Sequence, residues 1–192
     1  LYQFDDAANL GFDSSGHGNH LTVVGFGVSY TTGGEFGGGL SLGGSGYLTT
    51  ANGRVPSGFP LGNSPYTLSA WVEEPGSGGR EGIIGFGNYG SGGSVNALRF
   101  EIGNGVVNYW WGNDLLVSAP QVFNHAFHNL TVTYDGASRK IYVDGVLVGS
   151  SSSGSPNVAD ANFAIGVTNG IEYFSGVLDN VAVYNVALTP AQ

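Results

Sequence analysis

Apolar and polar residues alternate over short runs in this chain, and glycine, asparagine, serine or proline separates the runs. In Leu130-Thr131-Val132-Thr133-Tyr134 the three larger side chains share one side and the two threonines share the other. A two-residue Asp144-Gly145 turn joins Ile141–Val143 to Val146–Val148, and Asp-Gly tolerates the positive φ that such a turn needs. Helical periodicity is almost absent. The pattern therefore predicts antiparallel strands that each bury one face.

About a dozen short strands without intervening helices predict an all-β fold of two antiparallel sheets packed face to face. The other predicted strands are Leu1–Phe4, His20–Val24, Leu40–Leu42, Tyr47–Thr50, Tyr66–Val72, Gly82–Phe86, Ala97–Ile102, Val106–Trp111, Asn162–Ile165 and Gly176–Tyr184. A hairpin is predicted at Gly103-Asn104-Gly105, and Thr189-Pro190 predicts a helix start. Strand signals continue on both sides of each low-complexity stretch, so residues 1–192 are expected to form one domain. These stretches, predicted as loop tips, are residues 33–39, 76–79, 90–94 and 150–155.

The charge balance excludes several partner classes. The net charge is −9 and only five residues are Lys or Arg, whereas nucleic acid and anionic lipid both require clustered cations. The chain has no cysteine to form disulfides, and no apolar run approaches the length of a membrane span. Because it begins at Leu1 without a signal peptide, we expect an excised part of a larger protein whose targeting segment lies elsewhere.

Eight segments in order carry a family resemblance over essentially the whole chain. They are Phe4–Asp6, Asp13–Leu21, Gly38–Leu42, Tyr66–Val72, Thr131–Gly136, Ile141–Gly145, Phe174–Val181 and Tyr184–Thr189. They resemble the LamG-like jelly-roll domains of the concanavalin A-like lectin/glucanase superfamily. The resemblance implies two curved antiparallel sheets, often a structural calcium ion, and carriage on larger secreted or surface proteins. The sequence departs from relatives at Phe127, where they often carry Trp, and at His17, where Asn is common.

The acidic residues suggest a calcium site. Asp179 shares strand parity with Val177, Val181 and Val183, which predicts that its carboxylate is drawn into buried surroundings and needs compensation. The loop 13–20 offers further oxygen ligands, and the resemblance places calcium between such loops. The predicted ligands are Asp5, Asp13, Asn19 and Asp179. The alternative is that Asp13 starts an Asx-turn and Asp179 caps a local turn; zinc is not favoured, since there is no cysteine and no close histidine pair.

The segment 108–111, Asn-Tyr-Trp-Trp, suggests a sugar site. Alternation sends Tyr109 and Trp111 to one face and Asn108 and Trp110 to the other, so at least one indole is expected to face away from the core. Sugars stack on aromatic rings and are held by polar groups at the rim. The predicted ligand-binding residues are Trp110, Trp111, Tyr109, Asn108, Asn113, Arg99 and Glu101, with Tyr89 as another platform. The alternative is that both indoles belong to the core, as predicted for Trp71.

These features favour a non-catalytic carbohydrate-binding or adhesion module, secreted or on a cell surface, with a polysaccharide or glycan as its partner. A spacer without a sugar site and a polysaccharide-cleaving enzyme are the alternatives. Glycoside hydrolysis needs two facing carboxylates, whereas adjacent Glu73 and Glu74 point in opposite directions on a strand. Glu101 could pair with Glu73 across a sheet, but no Glu-x-Asp-x-x-Glu run is present.

Overall fold

Two seven-stranded antiparallel sheets form the protein, as seen in a computed structural model that describes residues 1–76, 79–152 and 154–192. The first sheet contains, in spatial order, β1 (Thr22–Gly25), β4 (Gly46–Thr49), β13 (Ala164–Ile165), β6 (Glu81–Gly87), β7 (Val95–Glu101), β8 (Gly105–Tyr109) and β9 (Leu115–Ser118). The second contains β12 (Val146–Ser151), β11 (Arg139–Val143), β10 (Phe127–Tyr134), β5 (Tyr66–Glu73), β16 (Ser175–Tyr184), β3 (Gly37–Gly43) and β2 (Val28–Gly34).

Two short strands, β14 (Val167–Thr168) and β15 (Glu172–Tyr173), pair as a separate hairpin. Within the described residues the only helix is a 3-10 turn at Pro120–Val122. None of the helical structure in this part of the chain is long and apolar enough to cross a membrane. The two facing antiparallel sheets confirm the predicted all-β jelly-roll sandwich.

The predicted alternation positions the core between the sheets. In β5, Leu68, Ala70 and Val72 are fully buried, while Ser69 lies on the opposite face and is partly exposed. Facing strands of the first sheet contribute Ile84, Phe86, Leu98 and Phe100 to the same apolar cluster. Each fully buried side chain of this size stabilises the fold by roughly 1.5–3 kcal/mol relative to exposure. One face of every central strand is consequently committed to the core, and only the outer faces are available for binding.

Both predicted hairpin turns are present. Asn104 and Gly103 adopt positive φ of 63° and 83° between β7 and β8, and Asp144 and Gly145 adopt 51° and 77° between β11 and β12. Positive φ is typical of short hairpin loops; the loop between β11 and β12 has two residues, and the loop between β7 and β8 has three, residues 102–104. The Asp-Gly and Gly-Asn-Gly sequences thus fix the register of two strand pairs.

Two predicted elements are wrong. Leu1–Phe4 is not a strand, because Phe4 turns away at φ 59° and only Tyr2 pairs, as an isolated bridge with Val181. No helix starts at Thr189; its amide and hydroxyl instead donate to the Gln192 side chain and close a turn. The strands at 28–34 and 115–118 were not predicted. The loop tips predicted over 76–79 and 150–155 include Ser77, Gly78 and Ser153, which lie outside the described residues.

Two buried carboxyl groups lie close together where β5 ends and β6 begins. Glu74 is 0% exposed and Glu81 is 5% exposed. Burial raises the pKa of Glu81 to about 7; the neighbouring Glu74 charge adds to the rise, and a hydrogen bond from the Ser175 amide opposes it. The folded protein therefore holds the Glu81 proton to a higher pH than the unfolded chain does.

This proton makes stability depend on pH. Below pH 4.5 Glu81 is protonated in both states, and as the pH rises to about 7 only the folded state keeps the proton. The free energy of unfolding is therefore expected to fall by up to roughly 1.4 kcal/mol per pH unit in this window. Chemical denaturation at several pH values measures this slope. Glu81→Gln should flatten it, and a variant with the parent's slope would contradict the assignment.

Candidate functional site

Trp110 was predicted as a ligand platform, and this is wrong. Its side chain is 1% exposed and lies in the core. The indole Nε1 donates a hydrogen bond to the Tyr66 hydroxyl at 3.1 Å, and its ring meets Tyr134 edge-on. The Arg139 guanidinium carbon lies 3.4 Å from the indole centroid, a close cation–π contact. The parity that turns Val106 inward on β8 also carries Trp110 into the core.

Asn108 shares this orientation and is likewise unavailable to a ligand. Its side-chain nitrogen donates to Asn96 Oδ1 and to the Ala97 carbonyl, each at 3.0 Å, and its Oδ1 accepts from the Tyr66 hydroxyl at 2.7 Å. Asn113 lies beyond β8, where its carbonyl oxygen accepts from Arg139 at 2.7 Å. The predicted sugar-binding role of Asn108 is therefore wrong. Asn113, at the edge of the sheet, is hydrogen-bonded to the buried Arg139.

Tyr109 and Trp111 lie on the outer face of the first sheet. The Tyr109 ring stacks with Tyr89 at 6.4 Å between centroids and 17° between planes, and Trp111 lies 6.1 Å from Tyr109. Trp111 is 37% exposed and has φ of 59° where the chain leaves the sheet. Three aromatic rings thus lie side by side on a face that contacts solvent.

Arg99 and Glu101 occupy the same face but are committed to an ion network. Arg99 is 5% exposed; it pairs with the Glu172 carboxylate and with Glu101 at 2.9 Å, and its guanidinium carbon lies 4.2 Å from the Tyr109 centroid. Glu101 also pairs with Arg80. Because Glu172 belongs to β15, these charges fasten the β14–β15 hairpin onto β7. Arg99 and Glu101 therefore hold this part of the structure in place and neutralise each other.

Beside this network a cavity of about 450 Å³ opens on the outer face of the first sheet, a size typical of small-ligand sites. Its walls are formed by β4, by segments 50–53 and 162–164, and by the β14–β15 hairpin. The lining that defines what we call the tyrosine pocket is Tyr47, Tyr89, Tyr173, Asn162 and Asn169. The rings of Tyr47 and Tyr173 lie 6.3 Å apart. The pocket therefore combines aromatic faces with neutral amide groups.

Local backbone conformation shapes this pocket. Asn162 and Asn169 adopt left-handed φ of 51° and 52°, which asparagine tolerates better than most residues. Such conformations recur where ligands are held. The Tyr89 hydroxyl is buried directly above Gly85, where a Cβ atom would collide with it. A glycine in β6 thus lets Tyr89 lie against the sheet and form one wall.

Sequence reasoning missed four of the five pocket residues and named only Tyr89. Two signals were available: Tyr47 alternates with buried Leu48 in a predicted strand, and Asn169-Gly170 is a turn sequence. Neither shows which loops meet in space. The pocket is assembled from segments more than one hundred residues apart in the chain, such as Tyr47 and Tyr173.

The outer face of the second sheet carries a different aromatic pair. Trp71 was predicted to be core, which is wrong, because Ala70 and Val72 take the inward positions of β5. Trp71 is half-buried on the outer face and meets the exposed Phe36 ring edge-on at 5.3 Å. This contact packs the β2–β3 turn onto the sheet.

The four predicted calcium ligands separate into two pairs. In the first, Asp13 Oδ1 accepts from the Ser15 amide at 3.0 Å and from the Ser15 hydroxyl at 2.6 Å, and Oδ2 accepts from the Asn19 amide at 3.0 Å. Burial alone would raise the pKa of Asp13, but the hydrogen bonds from Ser15 and Asn19, together with the nearby Leu1 ammonium, lower it to about 2. Both carboxylate oxygens accept hydrogen bonds, as in the Asx-turn alternative, and these bonds compensate the buried Asp13 charge.

The second pair lies beneath the β2–β3 turn. Asp179 is 0% exposed; its Oδ2 accepts from the Phe36 amide at 2.8 Å, and its Oδ1 is buried without a hydrogen-bond donor among the described residues. Asp5 accepts from the Gly38 amide at 2.7 Å. Burial raises the pKa of Asp179, and the Asp5 charge adds to the rise. An unsatisfied buried carboxylate oxygen beside a second carboxylate fits a cation, so Asp5 and Asp179 could supply two oxygen ligands.

The reason given for burying Asp179 was wrong, although the residue is buried. Leu178 faces the core while Asp179 faces outward, and Asn180 at φ 47° forms a bulge after which Val181 faces the core. Strand parity therefore changes at the bulge, and the β2–β3 turn covers Asp179 instead. Within the described part of the chain, no three acidic or histidine side chains gather as a metal site.

The carboxylates considered for hydrolysis do not form a facing pair. Glu73 belongs to β5 of the second sheet, while Glu101 belongs to β7 of the first and pairs with arginines. Glu74 and Glu81 are close together but almost fully buried, and neither lines the tyrosine pocket. In the part of the chain that the structure describes, the residues that line the pocket include no carboxylate.

Comparison with known proteins identifies the family. Residues 42–192 match the sequence profile Laminin_G_3, described as the concanavalin A-like lectin/glucanases superfamily. The chain belongs to the concanavalin A-like lectin/glucanase superfamily. This confirms the resemblance in the sequence. Because the superfamily includes both lectins and glucanases, membership alone does not assign a function. No match was found among curated protein sequences.

Solved structures share the fold of this superfamily member. Domain 4 of AbnA, an extracellular GH43 arabinanase from Geobacillus stearothermophilus solved with arabinotriose, is 24% identical with a TM-score of 0.68; the match covers 100% of this chain and 93% of that one. A putative carbohydrate-binding protein from Bacteroides ovatus is 21% identical, with a TM-score of 0.60 over 76% of this chain and 43% of that one. The CBM40 of a Ruminococcus gnavus sialidase is 14% identical, with a TM-score of 0.55 over 69% and 80%.

The burial of Trp110 predicts that its removal destabilises the protein more than removal of the outer-face Trp111. Trp110→Ala should lower the free energy of unfolding by about 3–5 kcal/mol, because it leaves a cavity and removes the contacts of a buried ring. Trp111→Ala, the matched control on the opposite face, should cost less than about 1 kcal/mol. Urea denaturation of both variants makes the comparison. Equal losses, or a larger loss for Trp111→Ala, would contradict the assignment.

Proposed function

We propose that this protein is a non-catalytic carbohydrate-binding module that holds an oligosaccharide in the tyrosine pocket. The observation that carries the proposal is the combination in one 450 Å³ cavity of three tyrosine rings with Asn162 and Asn169. Sugar C–H faces stack on aromatic rings, and planar amides hydrogen-bond to hydroxyl groups at the rim. The fold shared with the arabinotriose-bound arabinanase domain supports this reading.

The rigid setting of the pocket supports binding rather than a passive spacer role. The hairpin that carries Asn169 and Tyr173 is tied to the sheet by the buried Arg99–Glu172 pair, and the Thr168 hydroxyl donates to Glu172 at 2.7 Å. A site whose walls are fixed before the ligand arrives loses less conformational entropy on binding. We place the module on a larger secreted or surface protein, as in the extracellular arabinanase that contains a similar domain.

The pocket proposal is tested with two variants and a matched control. Tyr47→Ala and Tyr173→Ala should each weaken binding of linear arabino-oligosaccharides about tenfold, which corresponds to roughly 1.4 kcal/mol of lost stacking. Tyr142→Ala removes a half-buried tyrosine from the second sheet and should leave affinity unchanged. Titration calorimetry measures affinity, and thermal melting verifies folding. Parent-like affinity in both pocket variants would refute the location of the site.

We further propose that Asp5 and Asp179 bind a structural calcium ion whose other ligands are backbone or water oxygens. Calcium would supply the positive charge that the buried Asp179 carboxylate lacks. The described groups that contact or influence the Asp179 carboxylate are backbone amides, such as that of Phe36, and the Asp5 carboxylate; none of these is a cation.

Calcium binding is checked by thermal melting with and without a chelator. Calcium at one hundred times its Kd should stabilise the parent by about 2.7 kcal/mol. Asp179→Asn should abolish the calcium-dependent rise in Tm. Asp13→Asn should retain that rise, although its overall stability is reduced by the loss of its hydrogen-bonded carboxylate. A parent Tm that is the same in calcium and in chelator would rule out the site.

A further inference from the structure

Among the described residues that line the tyrosine pocket, none has a charged side chain. Its polar groups are tyrosine and threonine hydroxyls, asparagine amides and backbone atoms. We infer that the pocket selects uncharged oligosaccharides and rejects those that carry a carboxylate, such as sialic or uronic acids. This inference rests on the proposed function and deepens it, because it names the class of sugar that the site accepts.

The five cationic side chains of the chain all lie in described segments, and four of them lie outside the pocket lining. Arg80 and Arg99 pair with carboxylates in the ion network, and Arg139 is buried against the Trp110 ring. Lys140 belongs to β11 in the second sheet. None of these four lines the pocket, so none is placed to receive a ligand carboxylate there.

The fifth cation, Arg54, follows pocket-lining Gly53 and is neutralised by Asp160. Its Nε donates to Asp160 Oδ2 at 3.0 Å, and a second guanidinium nitrogen pairs with the same oxygen. The other carboxylate oxygen of Asp160 accepts from the Val55 amide at 3.0 Å. Asp160 is thus bonded both to the Arg54 side chain and to the next backbone amide, so the cation beside the pocket already has an anionic partner at the surface.

Electrostatics disfavour an anionic ligand for two reasons. A carboxylate that enters the pocket loses hydration, and its burial is costly unless a cation compensates it. The protein also carries a net charge of −9, which repels anions at a distance. The hydroxyl groups of a neutral sugar carry no charge for the protein to repel, and hydrogen bonds to the amides and phenols of the lining can compensate their lost hydration.

Matched ligand pairs test the selectivity. The probes are arabinotriose against its aldonic acid, and fully methyl-esterified trigalacturonate against the free acid, each titrated by calorimetry. We expect the neutral member of whichever pair binds to be favoured at least tenfold at low salt. Higher ionic strength should reduce this difference in affinity, because salt screens the repulsion between the acidic probe and the negatively charged protein. An acid that binds as tightly as its neutral partner would overturn the inference while leaving the proposed function intact. Failure of all four probes to bind would overturn the proposed function, and the inference with it.

A gain-of-function variant tests whether neutralisation of Arg54 by Asp160 contributes to the rejection of anionic sugars. Asp160→Asn keeps an oxygen that can accept from the Val55 amide but frees the Arg54 charge. Affinity for the acid probe should rise threefold to tenfold, with affinity for the neutral probe unchanged. The double variant Arg54→Gln with Asp160→Asn is the matched control and should return to parental selectivity. If Asp160→Asn leaves the acid affinity unchanged while the fold is retained, the proposed electrostatic cause is wrong.

Discussion

The shared apolar layer between the two sheets constrains every other feature of this protein. Each central strand buries one face in that layer. Groups that bind a ligand can therefore come only from the outer faces and from the loops that fold over them. Trp110 and Asn108 show the force of this constraint, since residues with the chemistry of sugar recognition serve instead as core hydrogen-bonding partners of Tyr66. A side chain suited to sugar recognition can bind a ligand only if strand parity places it on an outer face.

Charge pairing provides the second level of organisation. With few cations available, the chain uses Arg99 to join β7 to the β14–β15 hairpin and Arg139 to stabilise the interior around Trp110. Buried pairs of this kind need good geometry and further hydrogen bonds to offset their desolvation. The Thr168 hydroxyl supplies one such bond to Glu172. Cations thus organise the surroundings of the tyrosine pocket while its lining remains neutral.

The fold could be predicted from sequence because period-two burial and Asp-Gly turns act locally. Two of the exceptions arise at single residues in left-handed conformation. Phe4 turns the predicted first strand away, and Asn180 inserts a bulge that reverses parity between Asp179 and Val181. The candidate site was less predictable, since alternation limits Tyr109 and Trp111 to one face but cannot choose which face is the core. Tyr47 and Tyr173 are brought together by sheet topology, which no short sequence window contains.

Tyr89 lies against the sheet because β6 has no side chain at Gly85. The missing side chain beneath Tyr89 therefore affects the shape of the cavity, as do the rings in its walls. A methyl group at that position would displace the Tyr89 phenol, one of the rings in the pocket wall, without changing the identity of any lining residue. Divergence within such a fold can thus reshape a recognition surface through the smallest residue beneath it, leaving the aromatic inventory untouched.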